Sequence, residues 1–189
     1  MNIKEYWHLE VIGGRHKKFS WYRLFKAYFK SNKEQFLFEY RLAQYIYLKK
    51  GNNLLVKYLK RRIKKRYPVD IPVECVIGKG FYIAHLIGIV ITDKAQIGSG
   101  FTIFQNVTIG QKNSEAKILI GDNVTIGANS CIVGLDMFIG DDVEVGAFSF
   151  LNKSLPSRVL YYTKKESVIH HKNLGIEYIE SRNTRNRNR

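Results

Sequence analysis

A chain of 189 residues, 45% apolar and 13% aromatic, can bury one sizeable core, or one core with a small appendage, and is too short for two full domains. No apolar run approaches the roughly 18 residues of a membrane span, and the first ten residues carry charge where a secretory signal needs an apolar stretch; both points favour a protein of the cytosol. The net charge of +15 is unevenly spread: residues 1–66 carry +14, residues 67–156 carry −4 and residues 157–189 carry +5.

The first part reads as helical. Helices are predicted near 19–30, 34–49 and 53–66, separated by Ser31-Asn32 and Gly51-Asn52-Asn53. In the last, Leu55, Leu59 and Ile63 recur at spacing four, while Lys57, Arg61, Lys64 and Lys65 crowd elsewhere. Such a helix would pack on the structure that follows and cover its open edge. The alternative is that basic helices rich in aromatics, with Trp21, Tyr22, Phe25, Tyr28 and Phe29, approach an anionic membrane surface or an anionic saccharide.

From Ile71 onward the pattern changes to a period of six. Ile71, Ile77, Ile83 and Ile89 are followed by Ile91, Ile97, Ile103 and Ile109, then Ile120, Ile126 and Ile132, then Ile139, Val145 and Leu151. This period fits neither a helix nor an isolated strand, and hexapeptide repeats are a signature of parallel β-helices. Each hexad forms one short face, the aliphatic anchor points into a narrow stacked core, and the glycines that follow anchors, as in Ile77-Gly78 and Ile97-Gly98, are expected to turn corners in backbone conformations closed to other residues. The register slips between Ile89 and Ile91, between Ile109 and Ile120 and between Ile132 and Ile139. The longest insertion, around 110–119, is polar at its centre and should project as a loop. Cys75 and Cys131 fall within the apolar pattern and offer neither a disulfide framework nor a zinc-ligand spacing, so both read as packing residues and no metal site is expected.

Val69-Asp70-Ile71, Ile83-Ala84-His85, Gly88-Ile89-Val90-Ile91, Val107-Thr108-Ile109-Gly110 and Ile120-Gly121-Asp122-Asn123-Val124 resemble serine acetyltransferases and their shorter relatives in polysaccharide biosynthesis. The resemblance covers about residues 36–156. It implies a left-handed parallel β-helix with an α-helical N-terminal segment, assembly as a homotrimer, and acetyl-CoA lying in a groove between subunits.

Acetyl transfer from a thioester needs a base for the hydroxyl proton, a group that fixes that base in one tautomer, and donors facing the oxyanion. Histidine suits the first role because its ordinary pKa leaves much of it neutral at cytosolic pH. Of five histidines only His85 lies inside the repeat. Asp70 stands fifteen residues before it, where a coil of three hexads takes eighteen, so the two should lie near one corner. The family pairing of acid and base matches that spacing. The resemblance also carries CoA contacts to Gly110, Gln111 and Ala128, with Lys112, Lys117 and Lys153 as phosphate candidates.

Two features depart from the serine enzymes. They place an Asp immediately before the catalytic His, where this chain has Ala84, and their inserted loop is longer and ends in an Arg-His pair, where Ser114-Glu115 stand here. Leaving a zwitterion without charged partners is costly, so a saccharide hydroxyl is expected as the acceptor, with serine as the alternative and a catalytically silent trimeric scaffold as the reading outside enzymology. The C-terminal Arg182, Arg185, Arg187 and Arg189 alternate with Asn or Thr in a tail that no recognised nucleic-acid module accompanies, so specific nucleic-acid binding is not expected.

Overall fold

The computed structural model describes residues 1–14 and 16–166; the arginine-rich end of the tail lies outside them. Four helices come first: α1 (Ile3–Glu10), α2 (Trp21–Tyr28), α3 (Asn32–Lys50) and α4 (Leu54–Arg66). Their limits follow the local chemistry. The Ser31 hydroxyl accepts from the Lys33 amide at 3.2 Å and pairs with Glu34, a capping arrangement at the start of α3, and the Asn53 side chain accepts from the Val56 amide at 3.0 Å at the start of α4. Gly51 ends α3 at a φ of 65°. The helix α1 has no counterpart in the sequence reading. In α4 the buried stripe is Val56, Leu59 and Ile63, with Leu55 turned outward.

Five coils follow. The first holds β1 (Val69–Asp70), β2 (Val76–Ile77) and β3 (Tyr82–Ile83); the second β4 (Ile89–Ile91), β5 (Ala95–Ile97) and β6 (Thr102–Ile103). The third holds β7 (Thr108–Gln111), β8 (Ile118–Ile120) and β9 (Thr125–Ile126); the fourth β10 (Cys131–Gly134), β11 (Met137–Ile139) and β12 (Glu144–Val145). The last has β13 (Phe150–Leu151), a bridge from Leu155 to Ile139, and β14 (Leu160–Tyr161). All pairings are parallel, in three sheets ordered β1-β4-β7-β10-β13, β2-β5-β8-β11 and β3-β6-β9-β12-β14. This is the left-handed parallel β-helix anticipated from the period of six. The solenoid carries on to β14, inside the segment read as tail.

The anchors stack in three columns, and the pairings show where extra residues enter. Ile71, Ile91, Ile109, Ile132 and Leu151 form the first column, Ile77, Ile97, Ile120 and Ile139 the second, Ile83, Ile103, Ile126 and Val145 the third. Ile89 is buried yet stands outside these columns, opposite Val69. The early slip therefore belongs to the turn between β3 and β4, which is two residues longer than the matching turn between β6 and β7. That turn carries His85.

The glycines after the anchors have a different cause from the one expected. Gly78 and Gly98 do not sit at positive φ; a Cβ on Gly78 would come within 2.6 Å of the Gly98 carbonyl carbon, so close approach of stacked coils is what requires them. Positive φ falls further along each corner. In one stack it is held by Gly80, Gly100, Asn123, Asp142 and Arg158, in another by Gly88, Asn106, Asn129 and Phe148. Asparagine tolerates this conformation better than most residues, and the Asn106 amide donates to Asn129 at 3.1 Å.

An open β-helix end exposes unpaired carbonyls, and here α3 covers them. Gln44 donates to the Cys75 carbonyl at 2.8 Å, and the Tyr40 hydroxyl reaches the Pro72 and Cys75 carbonyls at 3.3 Å. Arg41 donates to the carbonyls of Ile77 at 2.9 Å and Gly78 at 2.8 Å, and forms a two-pronged ion pair with Glu10, both bonds 2.8 Å long. Glu10 in turn accepts from the amides of Gly80 at 3.0 Å and Phe81 at 3.1 Å. The sequence reading gave this covering role to α4; α4 instead packs on α3 and contributes ion pairs at its rim, Lys60 with Glu74 and Arg62 with Glu39. Burial works to raise the Glu39 carboxyl, but hydrogen bonds from Arg62 and Tyr28 outweigh it and hold it below its ordinary range. Cys75 packs beneath the cap, where burial pushes its thiol up to about 12. Cys131 is half-buried at the start of β10.

The side chains of Arg41 and Glu10 are wholly buried, and removing one partner strands the other without water. Arg41→Ala should therefore cost about 3–5 kcal/mol, read as a fall in the urea midpoint at unchanged slope. A loss under about 1 kcal/mol would show that the pair is not what closes the first coil.

Candidate active site

His85 lies in the long turn between β3 and β4, exposed to solvent, and among the described residues its ring has no hydrogen-bond partner. The turn is anchored on both sides: the Ala84 amide donates to the Ile103 carbonyl at 2.9 Å and the Gly88 amide to the Pro68 carbonyl at 2.8 Å. Gly88 is at φ 65°, a conformation that favours glycine, and a Cβ there would have to push the Asn106 side chain aside. Asp70 ends β1 directly opposite Val90, so the turn with His85 closes beside the strand that carries Asp70. No hydrogen bond joins Asp70 to His85 among the described residues. The nearest cation to its carboxylate is Lys64, at 3.8 Å.

Asp70 also lines a cavity of about 390 Å³ between α4 and the first coil, with Lys60, Lys64, Glu74 and Asp93 on its walls. Charges of both signs meet there. Lys60 pairs with Glu74, and Lys64 reaches Asp70 while three-quarters exposed. The sequence reading set Lys64 only among the basic residues that crowd away from the apolar face of its helix.

The proposed CoA contacts divide between two edges of the first sheet. Gly110 and Gln111 lie in β7 against Val133 and Gly134, Lys112 and Lys117 are exposed in the loop that follows, and Lys153 occupies the corresponding corner of the fifth coil, 5.8 Å from the Tyr161 ring. The Thr92 hydroxyl and the Gln111 side chain are hydrogen bonded. Ala128 is on the opposite edge. The amides of Asn106, Asn129 and Phe148 donate to the carbonyls of Ile87, Gln105 and Ala128, which stacks those three at one corner and leaves His85 in the enlarged part of the turn just before it.

Gln105 escaped the sequence reading. Its side-chain oxygen is buried with no hydrogen-bond partner, beside the coil that presents His85. A polar residue between two anchors reads as ordinary surface, and its only signal was its place two residues after an anchor, the same offset as His85. Among the described residues no group of three or more His, Cys, Asp or Glu is gathered as a metal would need, and no helix is long and apolar enough to cross a membrane.

The stacked hexapeptide coils and the projecting histidine define the chain as a β-helix of the architecture used by acetyltransferases. The proteins it resembles in sequence are serine acetyltransferases. It is 37% identical over 121 residues to the enzyme of Buchnera aphidicola subsp. Schizaphis graminum, covering 62% of this chain and 46% of that protein, and 32% identical over 120 residues to that of Mycobacterium tuberculosis, covering 62% and 52%. The chain thus spans about half the length of these relatives. No family model matches it. Among solved structures, serine acetyltransferase of Neisseria gonorrhoeae in complex with serine matches 84% of this chain and 65% of its own at a TM-score of 0.66 and 27% identity. The soybean apoenzyme matches 84% and 65% at 0.68 and 26%.

These likenesses correct two expectations. A nearer kinship to polysaccharide-modifying enzymes finds no support in these relatives, and a saccharide acceptor gives way to the serine alternative. The reasoning from Ala84 and the short loop treated one set of charges as the sole means of holding a zwitterion. Charges of both signs also line the cavity beside Asp70, supplied by α4 and the first two coils.

An unpartnered buried carbonyl lowers stability, so Gln105→Met, similar in length and apolar, should leave stability unchanged or raise it by about 1 kcal/mol in urea unfolding. A loss beyond about 1 kcal/mol would mean that the Gln105 oxygen is satisfied in the protein in solution.

Proposed function

We propose that this protein transfers an acetyl group from acetyl-CoA to the hydroxyl of serine, with His85 as general base. The observation that carries the reading is the likeness to serine acetyltransferases across the coils that hold His85 in an enlarged, exposed turn. In this mechanism His85 takes the hydroxyl proton as the oxygen attacks the thioester carbonyl. The carbon–sulfur bond then breaks, and the imidazolium returns the proton to the departing thiolate. Asp70 approaches as substrate fills the turn, accepts from the imidazole and steadies its charged form.

Lys64 and Lys60 supply positive charge for the serine carboxylate, and Glu74 and Asp93 negative charge for its ammonium. Gly110, Gln111 and Ala128 line the CoA path, with Lys112, Lys117 and Lys153 toward its phosphates. Because these groups fall on two edges of one sheet, a groove shared between copies joins them where a single chain does not. The assembly is a closed trimer, and the acceptor is held at its inter-subunit edge.

His85→Ala should lower acetyl transfer to L-serine by roughly 100 to 10,000-fold while CoA affinity persists. Asp70→Asn should lose less, and the double variant no more than His85→Ala alone, because an acid acting only through the base has nothing left to do. Transfer by His85→Ala near the parent rate would move the base elsewhere. No turnover of L-serine by the parent, with acetyl-CoA bound, would remove serine as the acceptor.

The assembly is tested by mass measurement in dilute solution alongside activity. A trimer whose specific activity falls on dilution into monomers is expected. A fully active monomer would end the shared-groove reading.

A further inference from the structure

The N-terminal helices carry most of the chain's positive charge, and α4 already spends part of its share. Lys60 pairs with Glu74, Arg62 with Glu39 and Lys64 with Asp70. The stretch 11–33 is different: it contains seven Lys or Arg and no Asp or Glu. Among the described residues Lys17, Lys18, Arg23 and Lys26 have no ion-pair partner.

The helix α2 lies in this stretch and presents rings to solvent. Trp21 is 60% exposed, Tyr22 72%, Phe25 66% and Phe29 63%, whereas Leu24 is buried against the rest of the helical layer. Trp21, Phe25 and Phe29 fall at spacings of four with Tyr22 beside them, Arg23 and Lys26 follow on the adjoining arc, and Lys30 stands just past the helix end. The arc is held in shape from beneath. Phe25 and Phe29 meet edge to face at 4.9 Å, Tyr28 contacts Phe38 at 5.3 Å, and Trp21 leans on Phe19 at 5.3 Å. With Tyr28 and Phe38 at its floor, this surface encloses an apolar hollow of about 610 Å³.

We propose that α2 and the basic segment before it dock the protein on an anionic lipid surface, the rings entering the headgroup layer and the lysines meeting lipid phosphates. An aromatic arc bordered by cations is the arrangement that partitions into a bilayer interface. Lys30 reaches Glu34 at 4.0 Å, but a second copy still fits poorly, because pairing two such surfaces brings together two basic stretches in which Lys17, Lys18, Arg23 and Lys26 have no ion-pair partner among the described residues. The reading is independent of the acceptor, since α2 contributes no residue to the candidate active site.

The full-length protein is to be floated with vesicles of phosphatidylcholine alone and with vesicles that also contain phosphatidylglycerol, while tryptophan emission is followed. The chain has two tryptophans, and Trp7 is buried, so a shift reports Trp21. Binding to the anionic vesicles with a blue shift is expected, with little binding to phosphatidylcholine alone. Lys26→Glu with Lys30→Glu should weaken binding at least about tenfold. Phe25→Ser with Phe29→Ser should weaken it comparably and abolish the blue shift, with the circular dichroism spectrum unchanged in both variants. Absence of binding by the parent would overturn the proposal. So would undiminished binding by the Phe25→Ser and Phe29→Ser variant, since charge alone, including that of the C-terminal tail, would then account for it. Self-association that needs Phe25 and Phe29 and proceeds without lipid would assign the face to a second copy instead.

Discussion

Everything built on the coils rests on how their first turn is closed. A parallel β-helix has an end where carbonyls and amides face outward with nothing above them, and burying them unpaired would cost several kcal/mol. The Arg41 guanidinium has a planar fork of donors, which suits it to meet two carbonyls of the coil and a carboxylate at once. Glu10 completes the arrangement by accepting from two amides of the same corner. Helix α1 is held in place through this carboxylate, α3 through the guanidinium, and the first coil through both. The ion pair is favourable here because nearly every polar group around it is engaged, the condition under which a buried pair repays its desolvation.

With the end closed, coil length becomes the variable that positions chemistry. Where each side takes six residues, anchors stack and the outward positions form a flat prism. Extra residues cannot enter the stacked core and must bulge at a corner. Two of them fall in the turn with His85, and the longest insertion forms the loop with Lys112 and Lys117. The stacked positive-φ residues at the corners keep the rest of the prism regular, so a local insertion is not propagated into neighbouring coils.

Much of this was legible in the sequence, for a definite reason. Thirteen of the fourteen aliphatic positions read as anchors stand in the three columns, because an inward position on a coil one residue wide accepts little but Ile, Val or Leu. The role of glycine was misread. Sequence gives no means of telling a glycine needed for φ from one needed because a neighbouring coil lies against it, and Gly78 and Gly98 are the second kind. Helix α1 was missed because eight residues with mixed polarity make a weak periodic signal, and its value lies in one carboxylate whose partner is 31 positions away. His85 was legible as the lone histidine of the repeat, whereas Gln105 and Lys64 acquire meaning only once coils and helix are assembled.

The acceptor is where local reasoning misled. A missing charge beside the base says that one way of holding a zwitterion is absent; it does not say that the ligand has changed. Net charge in this chain is partitioned so that a strongly basic helix lies along a mildly acidic coil, and the seam between them is where Lys60, Lys64, Asp70, Glu74 and Asp93 meet. A saccharide hydroxyl has no use for such a seam, since neutral hydroxyls gain little from paired opposite charges. An amino acid does, because its two charges lie a few ångströms apart and each needs its own counter-charge once water is removed. Helix α4 packs on α3, the helix that caps the β-helix, and supplies the cations of the cavity, so the seam beside Asp70 takes its position from the same helical layer that closes the first coil.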